Sequence, residues 1–312
     1  MKKSVQLIFL FLITILLLCG CTQTPNTPDL SDISDTPVTT DAPQPSPVSD
    51  FEYVLTDQGA IINKYIGAAT YVTIPSQIEG TDVIELAPGC FEESVIEYVS
   101  LPESVQIIGA AAFMNCTKLS TIILPEKMEE IRSKAFENCT SLTHIVLPYG
   151  NLFRNCHDVF LNAGLESVEF RGGIEILAPN TFAGTKLKEV VLPFGVREID
   201  TGALACPELE ILVLNKDLEI IHSGVFETNG KLTEIVIPAS VTAVSEFAFR
   251  GCTALAKVKF EGNAPTLSGQ DEILQQVMKD LYPDYPDFTV CYHDGAEGFT
   301  DPLWDKFQKE LW

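Results

Sequence analysis

The side chains in this sequence that could do chemistry are nine cysteines, four histidines and a large excess of carboxylates. Thiolates attack electrophiles and bind soft metals, imidazoles move protons near neutral pH, and positioned carboxylates act as general acids and bases. None of these groups is spaced for that work. There is no C-x-x-C pair, no H-E-x-x-H, no G-x-S-x-G, no phosphate loop and no calcium loop. His144, Cys156 and His157 come nearest to a ligand set, and their spacing matches no metal motif. With 43 acidic against 20 basic residues and a net charge of −23, close carboxylate pairs arise from abundance alone. We therefore assign no catalytic residue, no metal and no cofactor, and expect a protein that is not an enzyme. The same charge argues against nucleic acid, whose phosphates need clustered Lys and Arg, and against electrostatic adhesion to anionic lipid.

Four cysteines share one phase, as Asn115-Cys116-Thr117, Asn138-Cys139-Thr140, Ala205-Cys206-Pro207 and Gly251-Cys252-Thr253. That phase belongs to a repeat, and the repeat must position everything else. An apolar residue closes a short strand at Leu101, Leu124, Leu147, Phe170, Leu192, Leu214, Ile237 and Phe260, in steps of 22 or 23. Proline follows it at 102, 125, 148, 193 and 238. The strand reads as Leu119-x-x-Ile122-x-Leu124. A second apolar pair comes next, such as Val105/Ile108, Met128/Ile131 and Val196/Ile199. A large anchor then turns the chain: Phe91, Phe113, Phe136, Phe160, Phe182, Leu204, Phe226 and Phe249. So few apolar residues cannot enclose a core in one copy, so the copies must stack as a solenoid. The cysteines then form a column of small buried groups. Adjacent copies lie ~5 Å apart, which makes a Cys116–Cys139 disulfide geometrically conceivable. Besides Cys19 and Cys21 the cysteines number seven, an odd count with no pairing signal, and we read them as free thiols.

The combination L-x-x-I-x-L-P, then V-x-x-I-x-x-x-A-F, then N-C-T-x-L resembles the BspA-like family of bacterial leucine-rich repeats, from Phe51 to the C-terminus. It departs from ordinary leucine-rich repeats in having no asparagine ladder after the strand. Proline sits near there instead, and the Ala-Phe turn supplies the other wall. The resemblance and the period together imply an α/β repeat: a leucine-rich-repeat solenoid of about eight copies of 22–23 residues, with a parallel sheet on one face and caps at both ends.

The chain divides at shifts of composition. Residues 1–20 carry Lys2, Lys3 and an apolar run from Leu7 to Leu18, the pattern of an export signal. Leu18-Cys19-Gly20-Cys21 resembles the bacterial lipobox, which implies cleavage and lipidation at Cys21. Residues 21–50 are a Pro/Asp/Thr-rich tether with too little apolar content to fold. Residues 51–75 read as an N-terminal cap, with a turn at Asp57-Gln58-Gly59. The array follows over 76–262, with a long first step explained by an insertion near Glu79-Gly80-Thr81. One copy is irregular: Tyr149 to Phe160 has an extra residue, and Asn155 stands where other copies place Ile, Leu or Val. A local distortion is expected there. Residues 263–312 form a C-terminal cap, with a helix over 270–281, a strand over Phe288–Tyr292 and two tryptophans, Trp304 and Trp312, that close the solenoid.

Side chains alternate along a strand, so the outward columns can be read directly. One is Tyr98, Thr121, His144, Ser167, Glu189, Ile211, Glu234 and Lys257; the next is Ser100, Ile123, Val146, Glu169, Val191, Val213, Val236 and Lys259. Ile123, Val146, Val191, Val213 and Val236 would make an apolar ridge, flanked by Tyr98, His144, Glu169, Glu189 and Glu234. Exposed ridges mark partner sites, although cross-strand packing of β-branched residues also accounts for one. The expected protein is exported and lipid-anchored to the cell membrane, exposed on the outer side, and monomeric. It meets the membrane through its N-terminal lipid only and recognises protein ligands through the sheet face. The resemblance implies an adhesin or receptor type of role toward an extracellular protein or host-matrix ligand. The alternatives are an envelope-associated glycan-handling or accessory protein, with polar groups converging near His144, Glu169 and the irregular copy, and a purely structural assembly component.

Overall fold

Each coil has three sides, and each side bonds to the same side of the next coil. The computed structural model describes residues 44–150, 152–245, 247–268, 288–301, 304 and 307–312. The export signal, Cys21, the tether as far as residue 43 and the helix expected over 270–281 lie outside the described residues.

The first side is the parallel sheet. Its strands pair in repeat register: Tyr71 with Tyr98 and Tyr98 with Thr121, His144 with Ser167, Glu189 with Ile211, and Glu234 with Lys257. Residues one period apart in sequence are therefore cross-strand neighbours, as the spacing requires. The alternate residues Val99, Ile122, Ile145, Val190, Leu212, Ile235 and Val258 face the core and are buried. Beyond the eight expected copies, the strand Tyr71–Thr73 adds a rung at one end. Thr289–Tyr292 and Gln308–Leu311 add two at the other.

The second side is built on the second apolar pair. One run of strands passes through Thr81–Leu86, Ile107–Ile108 and Glu130–Ile131. Another passes through Ile176–Leu177, Glu198–Ile199, Ile220–Ile221 and Ala243–Ser245. The irregular coil lies between the two runs and contributes no strand to either.

The third side, the Ala-Phe turn, contains no α-helix among the described residues. It is a backbone ladder of its own. The N–H groups of Ala111, Phe113 and Asn115 donate to the carbonyls of Ser133, Ala135 and Glu137 in the next coil, at 2.9, 2.8 and 2.9 Å. Those of Lys134, Phe136 and Asn138 donate in the same way to His157, Val159 and Leu161. This geometry uses left-handed residues four apart, such as Ala111 and Asn115 (φ 56° and 61°) and Lys134 and Asn138 (φ 64° and 59°). Asparagine tolerates that conformation better than most side chains. Here it also bonds along the array: Asn138 Nδ2 donates to Asn115 Oδ1 at 2.8 Å, and Asn162 Nδ2 to Asn138 Oδ1 at 3.4 Å. An asparagine ladder thus exists, on the turn and not after the strand.

Between the walls runs a stack of rings. Tyr65, Phe91, Phe113, Phe136, Phe160 and Phe182 follow one another with centroids 5.1–5.5 Å apart. Leu204 interrupts the column, and Phe226–Phe249 resumes it at 5.4 Å. The ends are closed by different means. Phe51–Leu55 pairs antiparallel with Ala60–Tyr65 across the expected turn. The insertion is a hairpin through Glu79 (φ 52°) and Gly80 (φ 79°). The Ser46 N–H donates to Thr73 O at 2.8 Å, so the bonded body begins inside the segment read as tether. At the far end Trp304 is buried, with its ring 5.4 Å from Phe260 and 5.1 Å from Phe299.

Phe136 is fully buried and has a ring on each side. Phe136→Ala should cost about 3–5 kcal/mol, because the neighbouring rings cannot collapse into the gap. Denaturant unfolding checks this against Ile123→Ala, which leaves the core intact. Equal losses in the two variants would refute the packing described.

Candidate functional site

The sheet face is the surface on which the sequence places candidate binding residues. All ten belong to the strands' outward columns, but they are not equally accessible. Ile123, Val191 and Val213 are 50%, 53% and 48% exposed, whereas Val146 and Val236 are half-buried. Lys259 is the cross-strand partner of Val236 and reaches back to Glu234 at 2.8 Å, so its stem runs alongside Val236. Glu169 pairs with Val146 and breaks the apolar column there. Tyr98 is half-buried, its ring 6.1 Å from that of Tyr71. The ridge contracts to a patch in which Val191 pairs with Val213 and Ile211, 51% exposed, projects from the same strand as Val213. Ile211 was not singled out in the sequence, because its column is otherwise mostly polar. The alternation that revealed Val213 applies to it equally. Glu189 and Glu234 are exposed beside this patch, and His144 is exposed two strands away.

The histidines do not assemble a site. His144 Nδ1 lies 2.8 Å from Ser167 Oγ on the sheet, and His157 Nδ1 lies 2.8 Å from Asp158 Oδ2 on the turn wall. Cys156 is buried. Among the described residues no three His, Cys, Asp or Glu side chains are placed to hold a metal ion.

The irregular coil does distort the wall. Asn155 is left-handed (φ 52°), Leu152 and Phe153 fill the core, and second-side strand pairing stops on either side, although the Ile131 N–H still donates to Leu152 O at 2.9 Å. Arg154 and Asn155 stand between two clefts. One, of about 730 Å³, is lined by Gln106, Lys127, Glu129 and Tyr149 among others. The other, of about 480 Å³, is lined by Ile176, Pro179 and Asp200. His144 and Glu169, expected near such a concavity, line neither. Two exposed rings, Tyr149 and Phe194, occupy the corner that follows the sheet strand. They fall two residues after the strand-closing position, where other coils carry Glu103, Glu126, Lys216 or Ala239. Aligning that corner by phase would have exposed them.

The thiol column is structural. Cys116, Cys139, Cys206 and Cys252 each direct Sγ to the carbonyl of the preceding coil's Phe91, Phe113, Phe182 or Phe226, at 2.9–3.3 Å. All seven described cysteines are free and buried, so the conceivable Cys116–Cys139 bridge is not formed. Burial pushes the thiols of Cys116, Cys156, Cys206 and Cys252 up to about 12. In the unfolded chain they ionise near ~8.5. The folded form therefore disfavours the thiolate. Its thiol-linked stability is complete below that unfolded value and falls as pH rises toward the folded one. We expect these cysteines to resist iodoacetamide in the native protein at pH 8 and to label fully in denaturant, read by intact mass. Rapid native labelling of Cys116 or Cys206 would contradict their burial.

Residues 84–205 and 156–270 match the BspA type leucine rich repeat region, with six copies. A leucine-rich repeat protein of T. pallidum is 28% identical, covering 76% of this chain and 96% of that one, with a TM-score of 0.38. One from Bacteroides ovatus is 20% identical over 84% of this chain and 75% of that one, with a TM-score of 0.49. The pneumococcal vaccine antigen PcpA is 18% identical over 78% of each chain, with a TM-score of 0.37. Comparison with the curated proteins gives no match. The matched segments span more than half of the chain, continuous with the coils described above: the chain belongs to the family of BspA type leucine-rich repeat proteins.

Proposed function

We propose that this chain is a non-catalytic binding protein of the bacterial surface, anchored by lipid at Cys21 and docking an extracellular protein on its sheet face. The family supports a binding role, and the sheet face supplies a surface suited to one. The observation that carries the reading is the patch of Val191, Ile211 and Val213, each about half exposed on the outside of a strongly acidic protein. Such a side chain loses water contact when a partner covers it, at roughly 25 cal/mol for each Å² removed. Glu189 and Glu234 border the patch as a polar rim. The ligand is a protein because a gently corrugated, β-branched surface matches another packed surface better than it encloses a small molecule. A tether rich in proline and aspartate would hold the array away from the lipid.

The full chain should bind at least one member of an immobilised panel of extracellular matrix proteins saturably in surface plasmon resonance. Val191→Lys or Val213→Lys should weaken that binding at least tenfold without lowering the melting temperature. The absence of saturable binding, or binding indifferent to both changes, would remove the sheet-face reading. The anchor is tested separately: cells fed an alkyne fatty acid should label the wild-type protein, and Cys21→Ala should abolish the label and release the protein. A Cys21→Ala protein that stays labelled would overturn the assigned anchor.

A further inference from the structure

We propose that the corner beside the irregular coil is a glycan-binding site that takes a stiff, equatorially linked pyranoside chain. The site is independent of the sheet-face patch. It combines an aromatic platform with a polar cleft, and each part is built by a departure from the repeat.

The platform is the pair Tyr149 and Phe194, 64% and 67% exposed. They stand two coils apart, so their backbones are separated by ~10 Å. The coil between them carries glycine at both corner positions, Gly172 and Gly173, whereas each of the other coils keeps a side chain at one or both, as in Tyr149-Gly150 and Phe194-Gly195. A Cβ at Gly172 would strike Tyr149 Cδ1, and one at Gly173 would lie 3.0 Å from Phe194 Cε2. Both rings therefore rest on the glycine backbone, held on one side and open to solvent on the other. Rings that only filled a core would be covered, and rings on mobile stems would not be seated. A flat apolar face of this kind suits the C–H face of a pyranose, which stacks on aromatic rings. The seat runs in line along the array, which favours a short oligosaccharide over a single sugar, and among these an extended, equatorially linked chain, whose successive ring faces stay in line instead of coiling away.

The cleft supplies the hydroxyl contacts. Tyr149 forms part of its lining, with Gln106, Lys127, Glu129, Arg154 and Asn155 beside it. Among the described residues the side chains of Lys127, Arg154 and Asn155 have no hydrogen bond or ion pair, although most arginines of this acidic chain are paired. Amide, guanidinium and carboxylate groups present planar donors and acceptors in close order, the inventory that vicinal hydroxyls satisfy. An apolar peptide would leave these groups unpaired beneath it, which is costly. The mixed charge, with Glu129 among the cations, fits a neutral sugar better than an anionic one.

The test uses the full chain with cellohexaose as probe, followed by isothermal titration and saturation-transfer NMR. We expect saturable binding, with magnetisation transferred mainly to the ring C–H protons. Tyr149→Ala and Phe194→Ala should each weaken it at least tenfold, and Arg154→Ala several-fold, with unchanged melting temperatures. Val213→Lys should leave it unaltered, which separates this site from the sheet face. No saturable binding of cellohexaose, binding insensitive to Tyr149→Ala and Phe194→Ala, or capture of a peptide in its place would overturn the assignment.

Discussion

No coil of this protein can satisfy its own backbone. A segment of about 23 residues closes some bonds at its turns, such as Cys116 N–H to Phe113 O, but its three straight sides have no internal ladder, so their N–H and C=O groups must find partners in the coils before and after it. That obligation fixes the spacing between coils, and the spacing fixes the rest. Strand residues one period apart face each other, as His144 and Ser167 do. Phenylalanines one period apart stack as rings, and asparagines one period apart bond amide to amide. Burial supplies much of the stabilisation, but the ladders decide which atoms meet.

The period was legible because it is written in large apolar residues. Leu124, Leu147 and Leu192 mark the strand, and Phe113, Phe136 and Phe160 mark the turn. The alternation gave the outward columns and the paired registers. Less was legible where a position works through its backbone. Ala111, Lys134 and Phe247 adopt left-handed φ values without being glycine, and nothing in their side chains announces it. The ladder imposes that conformation from outside the residue. The turn ladder itself was hidden for the same reason, although Asn115, Asn138 and Asn162 were visible in phase. Exposure along the ridge was also beyond the pattern. Whether Val236 is covered depends on where Lys259 reaches, which follows from its ion pair with Glu234.

Regularity and recognition pull in different directions here. Most coils repeat one design, and a surface made of identical units offers little to distinguish one ligand from another. Departures are what create distinct chemistry. The extra residue in the irregular coil halts one ladder and opens clefts on both sides of Arg154 and Asn155. The Gly172-Gly173 step leaves the corner bare between two coils and seats two rings. Ile211 turns a polar column apolar for one strand. The cost is borne locally, because each coil answers only to its neighbours. Phe153 fills the core beneath the distortion, so the array continues past it.

The gap in the aromatic column at Leu204 has a mechanical meaning. Each ring pair adds about 0.5–1.5 kcal/mol beyond its buried area, and Leu204 forgoes two such pairs. Tension along a solenoid is carried coil by coil, with no distant contact to share it. At Leu204 that load passes through backbone bonds, such as Leu204 N–H to Val225 O at 3.1 Å, with no stacked rings to share it. The core is thus two piles of rings joined by a spacer.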